Sequence, residues 1–147
     1  MYDSLFDITI KRVQSWSPER EYPKEPDYSD DLWRFLSQRI SSATVTRDDK
    51  NDKKGLDLGI RQDSMYGIRS VGIELKRNFK SARGLKELVG QLETKGRHYD
   101  DIIILFIGET SNNMIVKTRE WIRGKADPIT GISSKHYKII IKGSKIP

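Results

Sequence analysis

Gly72-Ile73-Glu74-Leu75-Lys76-Arg77 is the stretch that decides the fold, read with Gly55-Leu56-Asp57-Leu58-Gly59-Ile60 before it. Alternate side chains of a β-strand point to opposite faces, so Ile73 and Leu75 share one face, and Glu74 and Lys76 share the other. An acid beside a cation in an otherwise apolar strand is costly to bury without partners. The pair therefore indicates either a solvated face or a functional site.

Asp57 favours a functional site. Both stretches read as strands, and the residues from Arg61 to Arg69 suit a turn, so we expect a hairpin. If the turn of this hairpin is centred near residues 65 and 66, Asp57 lies opposite residue 74 or 75 and within a few ångströms of Glu74. Carboxylates that close repel, which raises one pKa unless a cation lies between them. Lys76 offers one positive charge to offset this repulsion, and a divalent metal would offer more. A pair of carboxylate oxygen ligands suits a Mg²⁺ site better than a zinc site.

The order of these features resembles the PD-(D/E)xK nuclease superfamily: Asp57, a second strand with Glu74-Leu75-Lys76, a helix carrying Gln91, and the strand Asp101 to Gly108. The resemblance extends over about Ser29 to Gly108. The tripeptide alone is not specific, because the same pattern of an acid, any residue and Lys also begins at positions 48, 52 and 93. The specificity of the resemblance comes from the order of the elements. The chain departs from the family at Leu56, where the family name records Pro. It also has Lys95 where a recombinase-like branch has Tyr.

The resemblance implies an α/β fold with a mixed central β-sheet flanked by helices. Its restriction endonuclease-like core would have the order α-β-β-β-α-β, with N- and C-terminal additions. We expect a single nuclease-like domain over 1–147, because this length suits one modest core. Within it, we expect an N-terminal arm or linker at 1–28, the core at about 29–108 and a C-terminal extension at 109–147.

The resemblance also implies an endonuclease that hydrolyses DNA phosphodiester bonds with Mg²⁺ or, alternatively, Mn²⁺. Among the functional types of the family, a structure-selective enzyme suits a small basic chain best. Asp57, Glu74 and the backbone carbonyl of Leu75 would hold the metal, and Lys76 would orient or activate the attacking water. Gln91 would help to place the nucleophile or Lys76. Phosphate contacts that position DNA would come from four basic residues: Arg77, Lys80, Arg83 and Lys86. A homodimer would let two sites cut opposite strands.

Composition agrees with a polyanionic partner. The chain has 27 Lys and Arg against 21 Asp and Glu, a formal charge of +6 and a pI near 9.5, which favours DNA through counterion release. It has no Cys, so disulfides and thiolate metal sites are excluded. Met1 to Ile10 lacks the features of a signal peptide, and the apolar run Ile102 to Ile107 is too short to span a bilayer. We therefore expect a soluble cytoplasmic protein with no membrane contact.

The N-terminal third divides at its prolines. Leu5 to Val13 alternates and predicts a strand or an arm, and Ser17 to Asp27 predicts an irregular linker. Ser29 is the expected cap of a helix over Leu32 to Ile40, in which Asp31 either caps the helix or turns toward the metal. Further predicted segments are a strand at Ser42 to Thr46 and a solvated turn at Asp48 to Lys54.

The remainder predicts alternating helices and strands. A helix opens at Lys80-Ser81 and has an apolar stripe that runs to Tyr99, and Asp101 to Gly108 predicts a buried central strand. The later segments are a loop at Glu109 to Asn113, a short helix at Val116 to Arg123, a turn at Asp127 to Gly131, a strand at Tyr137 to Lys142 and a frayed tail at Lys142 to Pro147.

Two alternatives stay open. The chain could be a catalytically inactive DNA-binding or assembly module with the same fold, in which Glu74 and Lys76 form an ion pair opposite Asp57 and contribute about 0–1 kcal/mol. It could instead be a structural protein of an assembly, in which Trp33 and Trp121 form a partner surface.

Overall fold

The computed structural model describes residues 4–47, 55–65, 67–126, 128–130 and 135–147. Helices in these residues are α1 (Leu5–Ser15), α2 (Glu25–Arg39), α3 (Ala82–Thr94) and α4 (Asn112–Arg123), with a 3-10 turn at Gly96–His98. Strands are β1 (Thr44–Arg47), β2 (Leu58–Ser64), β3 (Gly67–Arg77), β4 (Asp101–Ile107), β5 (Thr110–Ser111), β6 (His136–Lys142) and β7 (Lys145–Ile146).

The main sheet has five strands in the order β1-β2-β3-β4-β6. The β1-β2 and β2-β3 pairs are antiparallel, whereas β3-β4 and β4-β6 are parallel. Every residue of β4 is buried, as its unbroken apolar run predicts for a central strand. The predicted α/β class with a mixed sheet is therefore confirmed.

Each face of the sheet carries its own apolar core. Ile73, Leu75 and Leu105 belong to the core under α1 and α2. Ile104 and Phe106 belong to the core under α3 and α4. Because strand side chains alternate, Glu74 and Lys76 lie on the α3 and α4 side of β3.

The predicted strand or arm at Leu5 to Val13 is wrong, because α1 occupies this segment. Ser4 caps it, with its hydroxyl oxygen accepting a hydrogen bond from the Asp7 backbone N at 3.1 Å. Its buried residues are Leu5, Thr9 and Val13, which repeat every four positions and face the core. The half-buried residues between them produce the alternation that imitates a strand.

The start of α2 was also predicted wrongly. The helix begins at Glu25 with Pro26 in its first turn, so the irregular linker ends before Asp27 and Ser29 is not the cap. Proline is tolerated in a first helical turn because its missing N–H would have no partner there.

Three predictions in the second half need correction. The α3 helix begins after its Ser81 cap as expected but ends at Thr94, so Tyr99 lies beyond the helix. The predicted loop at Glu109 to Asn113 contains β5 and the start of α4. The tail is not frayed throughout, because β7 pairs with β5, Thr110 opposite Lys145. These short elements depend on contacts distant in sequence, which local patterns do not report.

The predicted solvated turn at Asp48 to Lys54 lies outside the described residues, as do both ends of the predicted turn at Asp127 to Gly131. Residues 128–130 within the latter form a turn. In the described part of the chain, none of the helices combines the length and the apolar character needed to cross a bilayer.

Candidate active site

The β2-β3 hairpin brings two carboxyl groups together. Its register pairs Leu58 with Ile73 and Ser64 with Gly67, which is the register that the predicted hairpin requires. Asp57 immediately precedes Leu58, and continuing the register places it opposite Glu74. The two side chains share a hydrogen bond.

Backbone hydrogen bonds hold this pair in place. The Leu75 backbone N donates to Asp57 Oδ2 at 2.8 Å, and the Asp57 backbone N donates to Glu74 Oε1 at 3.3 Å. Asp57 therefore occupies the edge of β3 where β2 pairing has ended. Because the N–H and C=O of a strand residue point to the same edge, the Leu75 carbonyl is directed toward this edge as well.

Burial changes the protonation of Glu74. The residue is 3% exposed. Loss of solvation, followed by the charge and the hydrogen bond of Asp57, raises the Glu74 pKa to about 9, against a smaller opposing effect of Lys76. The carboxyl pair therefore holds a proton at neutral pH, which a divalent cation between the two groups would displace.

Glu25 is a third carboxyl group beside the site, and our sequence interpretation missed it. Its Oε1 accepts a hydrogen bond from the Arg77 backbone N at 2.8 Å. Burial raises the Glu25 pKa, and the charges of Lys76 and Asp57 also act on it. The available signal was an acid next to Pro26, a combination typical of a first helical turn.

Asp31, the acid that we considered from this helix, has a different environment. It is buried and accepts hydrogen bonds from Trp16 Nε1 at 3.0 Å, from the Glu19 backbone N at 2.9 Å and from the Tyr22 hydroxyl at 2.7 Å. Burial alone would raise the Asp31 pKa, but these hydrogen bonds lower it below its usual value. Asp31 therefore neither caps α2 nor lies beside Glu74. Its hydrogen bonds join α2 to the preceding linker.

Gln91 lies on α3, the helix that covers the sheet face bearing Glu74 and Lys76. Its Oε1 atom is buried and has no hydrogen-bond partner among the described residues. A buried amide oxygen without a partner is costly, so its position calls for a ligand or water. Its predicted role in placing the nucleophile stays a prediction.

Tyr99 supports the loop that carries Asp57, and sequence reasoning missed this role by assigning Tyr99 to α3. Its hydroxyl accepts a hydrogen bond from the Leu56 backbone N at 3.2 Å. Its ring lies against Gly72, where a Cβ atom would come within 2.7 Å of it. The absence of a side chain at Gly72 therefore admits the ring beside the site.

The four predicted DNA-contacting cations have different environments. Arg77 donates to the Pro23 carbonyl at 3.0 Å, and its guanidinium lies 5.5 Å from the centre of the Tyr28 ring. Two of the others form ion pairs, Lys80 with Glu109 at 3.0 Å and Arg83 with Glu87 at 3.3 Å. Lys86 is exposed on α3.

A cleft of about 870 Å³ opens where the parallel strands β3, β4 and β6 end. Gly108 and Gly143 follow two of these strands with φ angles of 71° and 122°, and a Cβ atom on Gly143 would come within 2.5 Å of the Gly108 carbonyl oxygen. A residue with a Cβ atom would clash at this distance and would be strained at these φ angles, so both turns favour glycine. The cleft is lined by cations and acids that include Arg20, Glu21, Arg77, Glu109 and Lys142.

The donor set fits a hard divalent cation. Asp57, Glu74 and the Leu75 carbonyl are oxygen ligands of the kind that Mg²⁺ and Mn²⁺ prefer. Among the described residues, no group of three or more His, Cys, Asp or Glu is arranged to hold a metal ion. Any ion here would therefore take its remaining ligands from water and substrate oxygens, as Mg²⁺ commonly does.

No family model, curated protein or solved structure matches this chain.

Proposed function

We propose that this chain is a metal-dependent endonuclease that hydrolyses DNA phosphodiester bonds. The observation that supports this most strongly is the pairing of Asp57 with Glu74 across the hairpin, with the Glu74 pKa raised to about 9. A protein that needed only an ion pair here would not have to hold the buried Glu74 carboxyl group against a second carboxyl group. Perturbed carboxyl groups of this kind are common in functional sites.

Each residue of the site has a defined role in this proposal. Asp57, Glu74 and the Leu75 carbonyl hold Mg²⁺ or Mn²⁺, which supplies charge that polarises the scissile phosphate and acidifies water. Lys76 orients the attacking water and offsets the negative charge of the transition state. Gln91 helps to place the water or the Lys76 ammonium group.

Glu25 extends this arrangement from α2. It fixes the backbone of Arg77 directly after Lys76, and its charge interacts with that of Lys76. We assign it the role of a positioning residue for Lys76. The cleft beyond β3 has Arg77, the residue after Lys76, in its lining. It provides space for the DNA backbone at the ends of the parallel strands, where such sheets commonly bind ligands.

The fold assignment belongs to the same proposal. The elements α2, β1, β2, β3, α3 and β4 follow the order α-β-β-β-α-β, which is the order of the restriction endonuclease-like core. Asp57 immediately precedes the second strand of this order, and Glu74 and Lys76 lie on the third. A homodimer with two such sites is part of the proposal, and sedimentation of the purified chain tests it.

The test is cleavage of supercoiled plasmid with and without Mg²⁺. We expect Asp57→Ala and Lys76→Ala to stay folded and to lose at least about 100-fold in rate, since each removes charge that acts in the transition state. Lys95→Ala is the matched control, because Lys95 belongs to another acid-x-Lys triplet, Glu93 to Lys95, outside the site. Undiminished cutting by Lys76→Ala would overturn the mechanism.

A second candidate is a catalytically inactive DNA-binding or assembly module with the same fold. The raised Glu74 pKa also favours this candidate, because a protonated Glu74 hydrogen-bonded to Asp57 is stable without a cation. Retardation of DNA in a gel without Mg²⁺-dependent nicking would support it. Calorimetric titration with Mg²⁺ separates the two candidates, since only the nuclease requires cation uptake at Asp57 and Glu74.

A further inference from the structure

The net charge of the chain is concentrated in its last quarter. Residues 112–147 contain eight Lys and Arg against two acidic residues, whereas residues 1–111 contain 19 of each. The whole formal charge of +6 therefore belongs to the last 36 residues. This concentration is separate from the Asp57 and Glu74 site, which lies in the electrically balanced part.

Helix α4 and strand β6 carry much of this charge along a groove at one edge of the main sheet. The groove has a volume of about 330 Å³ and is lined by Arg119, Ile122, Arg123, Tyr137, Lys138 and Ile139. We call it the α4-β6 groove. Arg119 and Arg123 are separated by about one helical turn, so both guanidinium groups lie along the same flank of α4. Strand β6 ends the order of the five-stranded sheet.

A second depression of about 350 Å³ shares Tyr137 with the groove. Its lining includes Arg97, Lys125 and Lys135. Between the two depressions, the Trp121 and Tyr137 rings pack edge to face with their centres 5.7 Å apart. Cations therefore flank an aromatic pair on both sides.

The cations of the groove differ from those near the site in their partners. Lys80 and Arg83 have acidic partners within 3.3 Å. Arg119, Arg123 and Lys138 take part in no ion pair among the described residues, and all three are exposed. Within the described residues their positive charge therefore has no acidic partner, which favours a polyanionic ligand through counterion release.

We propose that the α4-β6 groove binds the phosphate backbone of DNA, away from the carboxyl pair. The spacing of Arg119 and Arg123 along the helix, about 6 Å, suits successive phosphates of one strand, and the adjoining aromatic pair gives a base or sugar an apolar surface. The choice of DNA rests on the proposed function, but binding at the groove requires no cleavage. The groove would hold the substrate while Arg77, Lys80 and Arg83 keep their contacts within the protein.

The test measures binding of a fluorescent DNA duplex by anisotropy, in EDTA and over a series of salt concentrations. Arg119→Ala/Arg123→Ala/Lys138→Ala removes three cations from the groove, and the control Arg12→Ala/Arg34→Ala/Arg39→Ala removes three exposed cations from α1 and α2. We expect the groove variant to bind at least about tenfold more weakly and to lose about 2–3 from the slope of log affinity against log salt. The control variant, with the same net charge, should retain most of the affinity.

Equal losses in the two variants would overturn the proposal, because they would show an effect of net charge alone. Wild-type affinity in the groove variant would overturn it too, as would binding of the wild type to anionic phosphatidylserine vesicles but not to DNA at the same salt. Arg119→Lys/Arg123→Lys keeps the charge and should retain binding, which separates charge from folding. Groove-dependent binding without Mg²⁺-dependent cleavage would overturn the nuclease and leave this inference standing.

Discussion

Asp57 and Glu74 hold each other through the backbone as well as through their side chains. The Asp57 backbone N donates to Glu74 Oε1, while Asp57 Oδ2 accepts from the backbone N of Leu75, the residue after Glu74. Neither carboxyl group can turn away without breaking a hydrogen bond. The two groups are therefore kept together in the folded protein whether or not they share a proton, which makes the pair sensitive to pH and to cations.

We expect the metal-free protein to lose stability as pH rises from about 4.5 toward 9. The Glu74 pKa is about 9 in the folded state against an ordinary value of 4.5. Between these values the folded state holds a proton that the unfolded state has released, so the free energy of unfolding falls with increasing pH. Glu74→Gln should remove this slope and raise the melting temperature at pH 8 by about 3 °C or more. Thermal unfolding in EDTA is the measurement, and the exposed Glu120→Gln is the control that should keep the slope.

Divalent cations should reverse this loss of stability. At pH 8, saturating Mg²⁺ or Mn²⁺ is expected to increase the free energy of unfolding by about 1–3 kcal/mol, because the ion binds only the folded arrangement. Binding should release a proton from the pair, which calorimetry detects as a heat that depends on the buffer. Asp57→Asn should show neither effect. A melting temperature that responds to Mg²⁺ equally in Asp57→Asn would place the ion elsewhere.

Tyr99→Phe should reduce the apparent affinity for Mg²⁺ and have only a small effect on the stability of the fold. The change removes the hydrogen bond from the Leu56 backbone N, at a cost of about 1 kcal/mol, and leaves the ring against Gly72. Because Leu56 adjoins Asp57, we expect a higher Mg²⁺ concentration at half-maximal cleavage and a smaller change in maximal rate. Tyr137→Phe is the control, and an identical Mg²⁺ dependence in the two variants would contradict a positioning role for Tyr99.

Asp31→Ala should destabilise the protein by about 3 kcal/mol without affecting metal binding. It leaves three donors without their acceptor, including the fully buried Trp16. The neighbouring Asp30→Ala is the control, since Asp30 forms only an exposed ion pair with Arg47, worth about 0–1 kcal/mol. Urea unfolding measures both, and equal midpoints for the two variants would refute the prediction.

Several parts of the fold were predictable because local pattern and tertiary packing agree. The unbroken apolar run of β4 indicates a strand buried on both faces, and the structure has it in the centre of the sheet. The α1 segment shows the opposite situation. Its alternating Phe6, Ile8 and Ile10 suggested a strand, but the buried stripe through Thr9 makes it a helix. Only packing against the sheet distinguishes these two patterns in a segment of eleven residues.

By itself, the sequence brought Asp57 opposite residue 74 or 75, because a hairpin with its apolar side chains on one face has few possible registers. The register of the folded hairpin, with Leu58 opposite Ile73, selects Glu74. Only the tertiary structure decided that Glu25 rather than Asp31 lies beside this pair, and that Arg119 and Arg123 of α4 line one groove with Lys138 of β6. Both depend on how helices pack against the sheet, through contacts between residues far apart in the chain. Such contacts leave no period in the sequence, so local reasoning cannot assign them.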